Sequence, residues 1–135
     1  MKQKVYNIVI ADDHEIILSS LSKIINSEAN LHIVACVKNG KELIQFVNSS
    51  MPDICIVDLD MPIMNGLTAA KKLIKTYPDI KIIIFTMYKL NSLLKRIINM
   101  GIKAYLIKTC DRDELIFAIN QVIKGKLYYS DEIFN

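Results

Sequence analysis

Hydrophobic positions along the chain fall into two alternating kinds of segment. Short runs rich in β-branched residues cover Val5 to Ala11, His32 to Val37, Ile54 to Val57, Ile80 to Phe85 and Ala104 to Ile107. Longer stretches between them repeat apolar residues at helical spacing. Ile16, Ile17, Leu21, Ile24 and Ile25 line one face of the first. Leu43, Ile44 and Val47 mark the second, and Leu67, Ala70, Leu73 and Ile74 the third. Leu90, Leu93, Leu94, Ile97 and Ile98 give the fourth. Leu115, Ile116, Ala118, Ile119, Val122 and Ile123 give the fifth. Five strands alternating with five helices predict a parallel sheet covered on both faces. Near-continuous apolar strands suit burial on both sides better than alternating ones would. Turn residues agree: Gly40 opens the second helix, Pro78-Asp79 follows the third and Gly101 the fourth. The tail "KGKLYYSDEIFN" has no strong period and reads as a linker or terminal extension.

Composition narrows the class. A chain of 135 residues suits one compact domain. With 52% hydrophobic residues, it is rich enough in apolar side chains to build a core. Its 17 basic and 14 acidic side chains leave a net charge of only +3, which is no nucleic-acid footprint. Any contact with DNA is expected outside these residues. Cys36, Cys55 and Cys110 lack metal-ligand spacing, and the first two sit in apolar runs, where a buried thiol is expected. No signal peptide and no run of about 20 apolar residues is evident, so a cytoplasmic location without membrane contact is expected.

The chemistry gathers at the strand ends. In an open α/β sheet, ligands bind beyond the carboxyl ends of the strands. The first strand ends at Asp12-Asp13, the third at Asp58, the fourth at Thr86 and the fifth at Lys108. Taken singly, each has an ordinary reading: a helix cap, a turn acid, a satisfied hydroxyl or a solvated lysine. Together they place three carboxylates, a hydroxyl and an ammonium on one edge. Three adjacent carboxylates repel, and a divalent cation relieves the conflict; Mg²⁺ suits oxygen ligands shared with a phosphate. Lys108 is a point charge suited to a phosphoryl oxygen.

These segments resemble the receiver domain of two-component response regulators. "IVIADDH", "IVDLDMPIMNG", "IIIFTMY" and "GIKAYLIK" occur in the family's order, and the resemblance covers nearly all of residues 5–124. It implies a flavodoxin-like, doubly wound five-stranded parallel sheet of order 2-1-3-4-5 between two helical layers. Residues 1–124 would form the phospho-receiver, and 125–135 the start of a linker or tail. It further implies that Asp58 accepts a phosphoryl group from a sensor histidine kinase. Mg²⁺ would be held by Asp13, Asp58 and the backbone carbonyl of Asp60, with Asp12 acting partly through water. Lys108 would grip the phosphoryl group, and Thr86 and Tyr105 would be the switch residues. Thr86-Met87-Tyr88, Thr109 after the lysine, and the tail look like the NarL/LuxR-type branch. That branch usually continues into a helix-turn-helix DNA-binding domain, so a transcriptional output and a phosphorylation-dependent homodimer are expected. A stand-alone receiver acting by protein contact is the alternative. Asp60 and Tyr88 each lie two residues beyond a site residue and are candidates for tuning phosphate lifetime.

A rival reading is enzymatic. Asp58-Leu59-Asp60 also resembles the DxD motif of haloacid-dehalogenase-type phosphatases. Order argues against it, because the acidic pair Asp12-Asp13 precedes the nucleophile strand here, and the chain lacks room for a cap domain. The chain is therefore expected to be a phospho-acceptor and not an enzyme.

Overall fold

The computed structural model describes residues 4–89 and 91–129. Leu90, assigned above to the fourth helix, and residues 130–135 of the tail lie outside that range.

Strands β1 (Tyr6–Ala11), β2 (Leu31–Val37), β3 (Ile54–Val57), β4 (Ile82–Thr86) and β5 (Ala104–Ile107) alternate with five helices. These are α1 (Glu15–Asn26), α2 (Gly40–Ser49), α3 (Gly66–Thr76), α4 (Asn91–Met100) and α5 (Arg112–Ile123). All pairings are parallel. The order is β2-β1-β3-β4-β5-β6. The expected order therefore holds, with one strand more than the sequence suggested. Strand β6 (Tyr128–Tyr129) lies within the tail and pairs with the far edge of β5. Two residues are too few to show a period, and only the open edge of β5 defines them as a strand.

Every residue of β3, β4 and β5 is buried, as expected for strands covered on both faces. One apolar layer packs α2, α3 and α4 on the sheet, and the other packs α1 and α5. Strand β2 differs because it is an edge. Its burial alternates, and Cys36 is exposed, contrary to the expected buried thiol. Cys55 on central β3 is buried as expected. Helix α1 also shifts its face: Leu18, Leu21 and Ile25 meet the core, while Ile16 is 81% exposed. Ile16 lies two residues, about 200°, from Leu18 on a helix with 3.6 residues per turn.

Helix starts follow side-chain capping. Asn39 and Asn65 accept the backbone N–H of Glu42 and Thr68, at 2.9 and 2.8 Å. Asp111 does the same for Glu114 at 2.8 Å. Among the helices whose N-cap is described, α1 is the exception. His14 stands at its N-cap without a side-chain cap bond.

Candidate functional site

Central strands β1 and β3 end side by side, with Ala11 paired to Val57. Their next residues, Asp12 and Asp58, therefore meet at the carboxyl edge of the sheet. Backbone bonds fix both: Asp12 N–H donates to Val37 O and Asp58 N–H to Ala11 O, each at 2.9 Å. Strand β5 brings the Lys108 side chain to the same place, where it is almost fully buried. Its Nζ lies 2.8 Å from Asp12 Oδ2 and 3.2 Å from Asp58 Oδ2. Asp13 sits at the rim, partly exposed.

Asp58 Oδ2 is buried with the Lys108 ammonium 3.2 Å away but poorly aligned, so its hydrogen-bonding capacity is under-used. Burial raises the Asp58 carboxyl above its ordinary pKa. Lys108 opposes that rise, Asp12 adds to it, and the backbone N–H of Asp60 opposes it. A buried oxygen without an aimed donor is costly, so this atom is suited to a ligand or to chemistry.

His14 joins the cluster, which the sequence reading missed. Its Nδ1 lies 2.8 Å from Asp12 Oδ1, 3.3 Å from Asp13 Oδ1 and 3.8 Å from Asp58 Oδ2. The hydrogen bond to Asp12 holds the ring above its ordinary pKa, against burial and Lys108. In the sequence His14 reads only as the start of α1; its place directly after the acidic pair was the available signal. Ligand atoms from Asp12, Asp13, His14 and Asp58 all lie within 4.8 Å of one another. Three convergent carboxylates, one with an under-used buried oxygen, fit a small hard cation.

Thr86 ends β4 fully buried, its hydroxyl 3.4 Å from the Tyr88 N–H. Tyr105 on β5 is 1% exposed, and its hydroxyl donates to the Tyr88 carbonyl at 2.6 Å. Tyr88 and Asp60 are brought together: the phenol donates to Asp60 Oδ2 at 3.3 Å. They border a cleft of about 420 Å³ floored by Leu59, Leu67 and Leu93. A second cleft of about 520 Å³, between α2 and α3, contains none of the candidate residues.

The loop from β3 to α3 is tightly held. A Cβ on Gly66 would stand 1.9 Å from the Asp58 carbonyl oxygen, so no side chain fits there. Close approach, more than a need to turn, explains this glycine. Ile63 in the same loop has φ +68°, a left-handed conformation rare for a β-branched residue.

An α/β sheet in this order, with an acidic cluster and a buried lysine at its carboxyl edge, has the build of a phospho-receiver. The family model described as "Response regulator receiver domain" matches residues 8–120, and the chain belongs to that family. Among curated relatives, it is 37% identical over 122 residues to the oxygen regulatory protein NreC of Staphylococcus haemolyticus. That match covers 90% of this chain and 56% of the relative. The transcriptional regulatory protein DesR of Bacillus subtilis is 36% identical over 127 residues, covering 94% and 63%. This chain thus spans less than two thirds of those relatives. A LuxR-family two-component response regulator from Aurantimonas superposes with a TM-score of 0.91 at 25% identity, covering 96% of this chain and 93% of that one. The isolated receiver of RcsB from Salmonella enterica serovar Typhimurium, with phosphomimetic BeF₃⁻, gives 0.88 at 25%, covering 96% of each chain. Among the described residues no helix is long and apolar enough to cross a membrane.

Proposed function

We propose that Asp58 is the phospho-acceptor of a response regulator. The observation that carries this is the buried Asp58 carboxylate. One of its oxygens has no aimed donor, yet it lies 3.2 Å from the Lys108 ammonium and beside two further acids. In the reaction a carboxylate oxygen attacks phosphorus of a phosphohistidine on a partner kinase. The P–O bond of an acyl phosphate forms, the P–N bond breaks, and the imidazole keeps the electron pair. Lys108 neutralises charge on the equatorial oxygens, and the protein contributes mainly positioning. It thereby assists its own phosphorylation and dephosphorylation without turning over a separate substrate.

Asp13, Asp58 and the Asp60 carbonyl are the proposed ligands of Mg²⁺, with Asp12 acting partly through water. When bound, the ion offsets carboxylate repulsion and charge on the phosphoryl oxygens. Thr86 is proposed to follow the new phosphoryl oxygen and Tyr105 to respond to it. The Tyr88–Asp60 contact supports a joint role in admitting the hydrolytic water. Residues 1–124 make up the proposed receiver and 125 onward the route to an output. Transcriptional control through a DNA-binding domain and phosphorylation-driven homodimerisation are proposed from the LuxR-type relatives, and a cytoplasmic setting follows from a kinase donor.

Incubation with Mg²⁺ and acetyl phosphate, followed by intact-mass measurement, tests the assignment. One phosphoryl adduct is expected, lost in Asp58→Asn. An adduct that survives Asp58→Asn would overturn it. Sizing the same sample tests dimerisation.

A further inference from the structure

Tyr129 stands in register with Tyr105 in the parallel pair of β6 with β5. Paired strands lie about 4.8 Å apart, and partners in register project from the same face. Both rings belong to the layer that packs under α4. Tyr105 is tied inward through its hydroxyl to the Tyr88 carbonyl at 2.6 Å. Tyr129 is tied by its own hydroxyl to the Ile102 carbonyl at 2.5 Å. Strand β6 has further anchors. Tyr128 N–H donates to Lys103 O at 3.0 Å, and the Tyr128 hydroxyl donates to Glu114 at 2.8 Å. The Tyr128 ring meets Phe117 edge-on, with centroids 5.6 Å apart.

A Tyr105 ring that swung out of the core would need the space flanking β5. In this chain β6 occupies that edge, with Tyr129 in register with Tyr105, so an outward Tyr105 would compete with a docked β6. We propose that Tyr129 is a positioning residue for the switch: docked β6 holds Tyr105 buried and couples the Asp58 site to the chain's tail. This rests on the reading of Asp58 as acceptor and of Thr86 and Tyr105 as switch residues. Hydrogen bonds link Asp60, Tyr88 and Tyr105, and strand pairing sets Tyr129 beside Tyr105. A phosphoryl group that draws in Thr86 and favours the buried Tyr105 favours docked β6 equally, because coupling between two sites is reciprocal. Strand β6 is thus held most firmly in the phosphorylated protein. Phosphorylation reads out as docking of the segment that leads away from the receiver.

The test uses the full chain with Mg²⁺ and beryllium fluoride as the phosphoryl mimic. Hydrogen exchange at the Tyr128 amide is expected to slow about five-fold or more when the mimic binds. Tyr129→Ala is expected to weaken mimic binding by a similar factor, and Tyr129→Phe, which keeps the ring but not the bond to the Ile102 carbonyl, to recover it in part. Unchanged exchange at Tyr128, or wild-type binding by Tyr129→Ala, overturns the coupling while leaving Asp58 as acceptor. A wild-type chain that fails to bind the mimic overturns both readings. The exchange measurement needs no variant and stands even where Tyr129→Ala folds poorly.

Discussion

Asp58 is kept in the fold at a thermodynamic cost, and that cost is measurable. Its pKa is raised, so the folded state penalises the ionised form. The penalty is complete above the folded pKa and disappears as pH falls through it, where the carboxyl is neutral. Asp58→Asn removes the crowded charge and keeps a carbonyl oxygen that can face Lys108. It is expected to stabilise the protein at neutral pH by about 1–3 kcal/mol, the order of cost of a poorly satisfied buried group. The gain over wild type should shrink toward pH 4. Urea midpoints of both proteins at pH 7.5 and 4.5 check this; a constant difference would remove burial as the cause. Ile63 carries a separate local strain. It is 80% exposed with φ +68°, so it gains little from burial and bears the left-handed penalty. Ile63→Asn should therefore stabilise by about 1 kcal/mol, seen as a Tm several degrees higher.

At the scale of elements, the chain's legibility follows its burial. Strands β1, β3, β4 and β5 stood out in the sequence because both faces are covered over most of their length, which turns them into largely apolar runs. Asp12, Asp13, Asp58, Thr86 and Lys108 were legible as a group because strand ends converge once those runs are aligned. Edge positions were not. Strand β2 has one open side, so Cys36 faces outward; β6 exists only as a partner of β5. His14 was missed because its contacts are set by the path of the chain from β1 into α1. Two consequences can be measured. Burial pushes the Cys55 thiol up to about 12, so it stays protonated and shielded near pH 8. An alkylating reagent should label Cys36 in the native protein and Cys55 only after unfolding. Gly66→Ala forces the β3–α3 loop away from the Asp58 carbonyl. A loss of about 1–3 kcal/mol is expected, together with slower adduct formation from acetyl phosphate.

Across the whole molecule, the question is whether the tail strand belongs to the cooperative fold or merely rests on it. Strand β6 closes the β5 edge and ties it to α5 through Tyr128 and Glu114. Tyr129 reports on this through its ionisation. Burial pushes its phenol up to about 12, whereas an unfolded tyrosine titrates near ~10. Above pH 10 the unfolded chain releases this proton first. Stability is therefore intact below that pH and falls as pH rises through the window to about 12, by roughly 1 kcal/mol per pH unit. Tyr129→Phe cannot ionise, but it loses the bond to the Ile102 carbonyl. At pH 8 it should be less stable than wild type by about 1 kcal/mol. Toward pH 11 the wild type should lose that advantage, so the two stability curves cross. Urea unfolding from pH 8 to 11 measures the crossing. Parallel curves throughout would mean that β6 detaches before the global transition, leaving five strands as the cooperative unit.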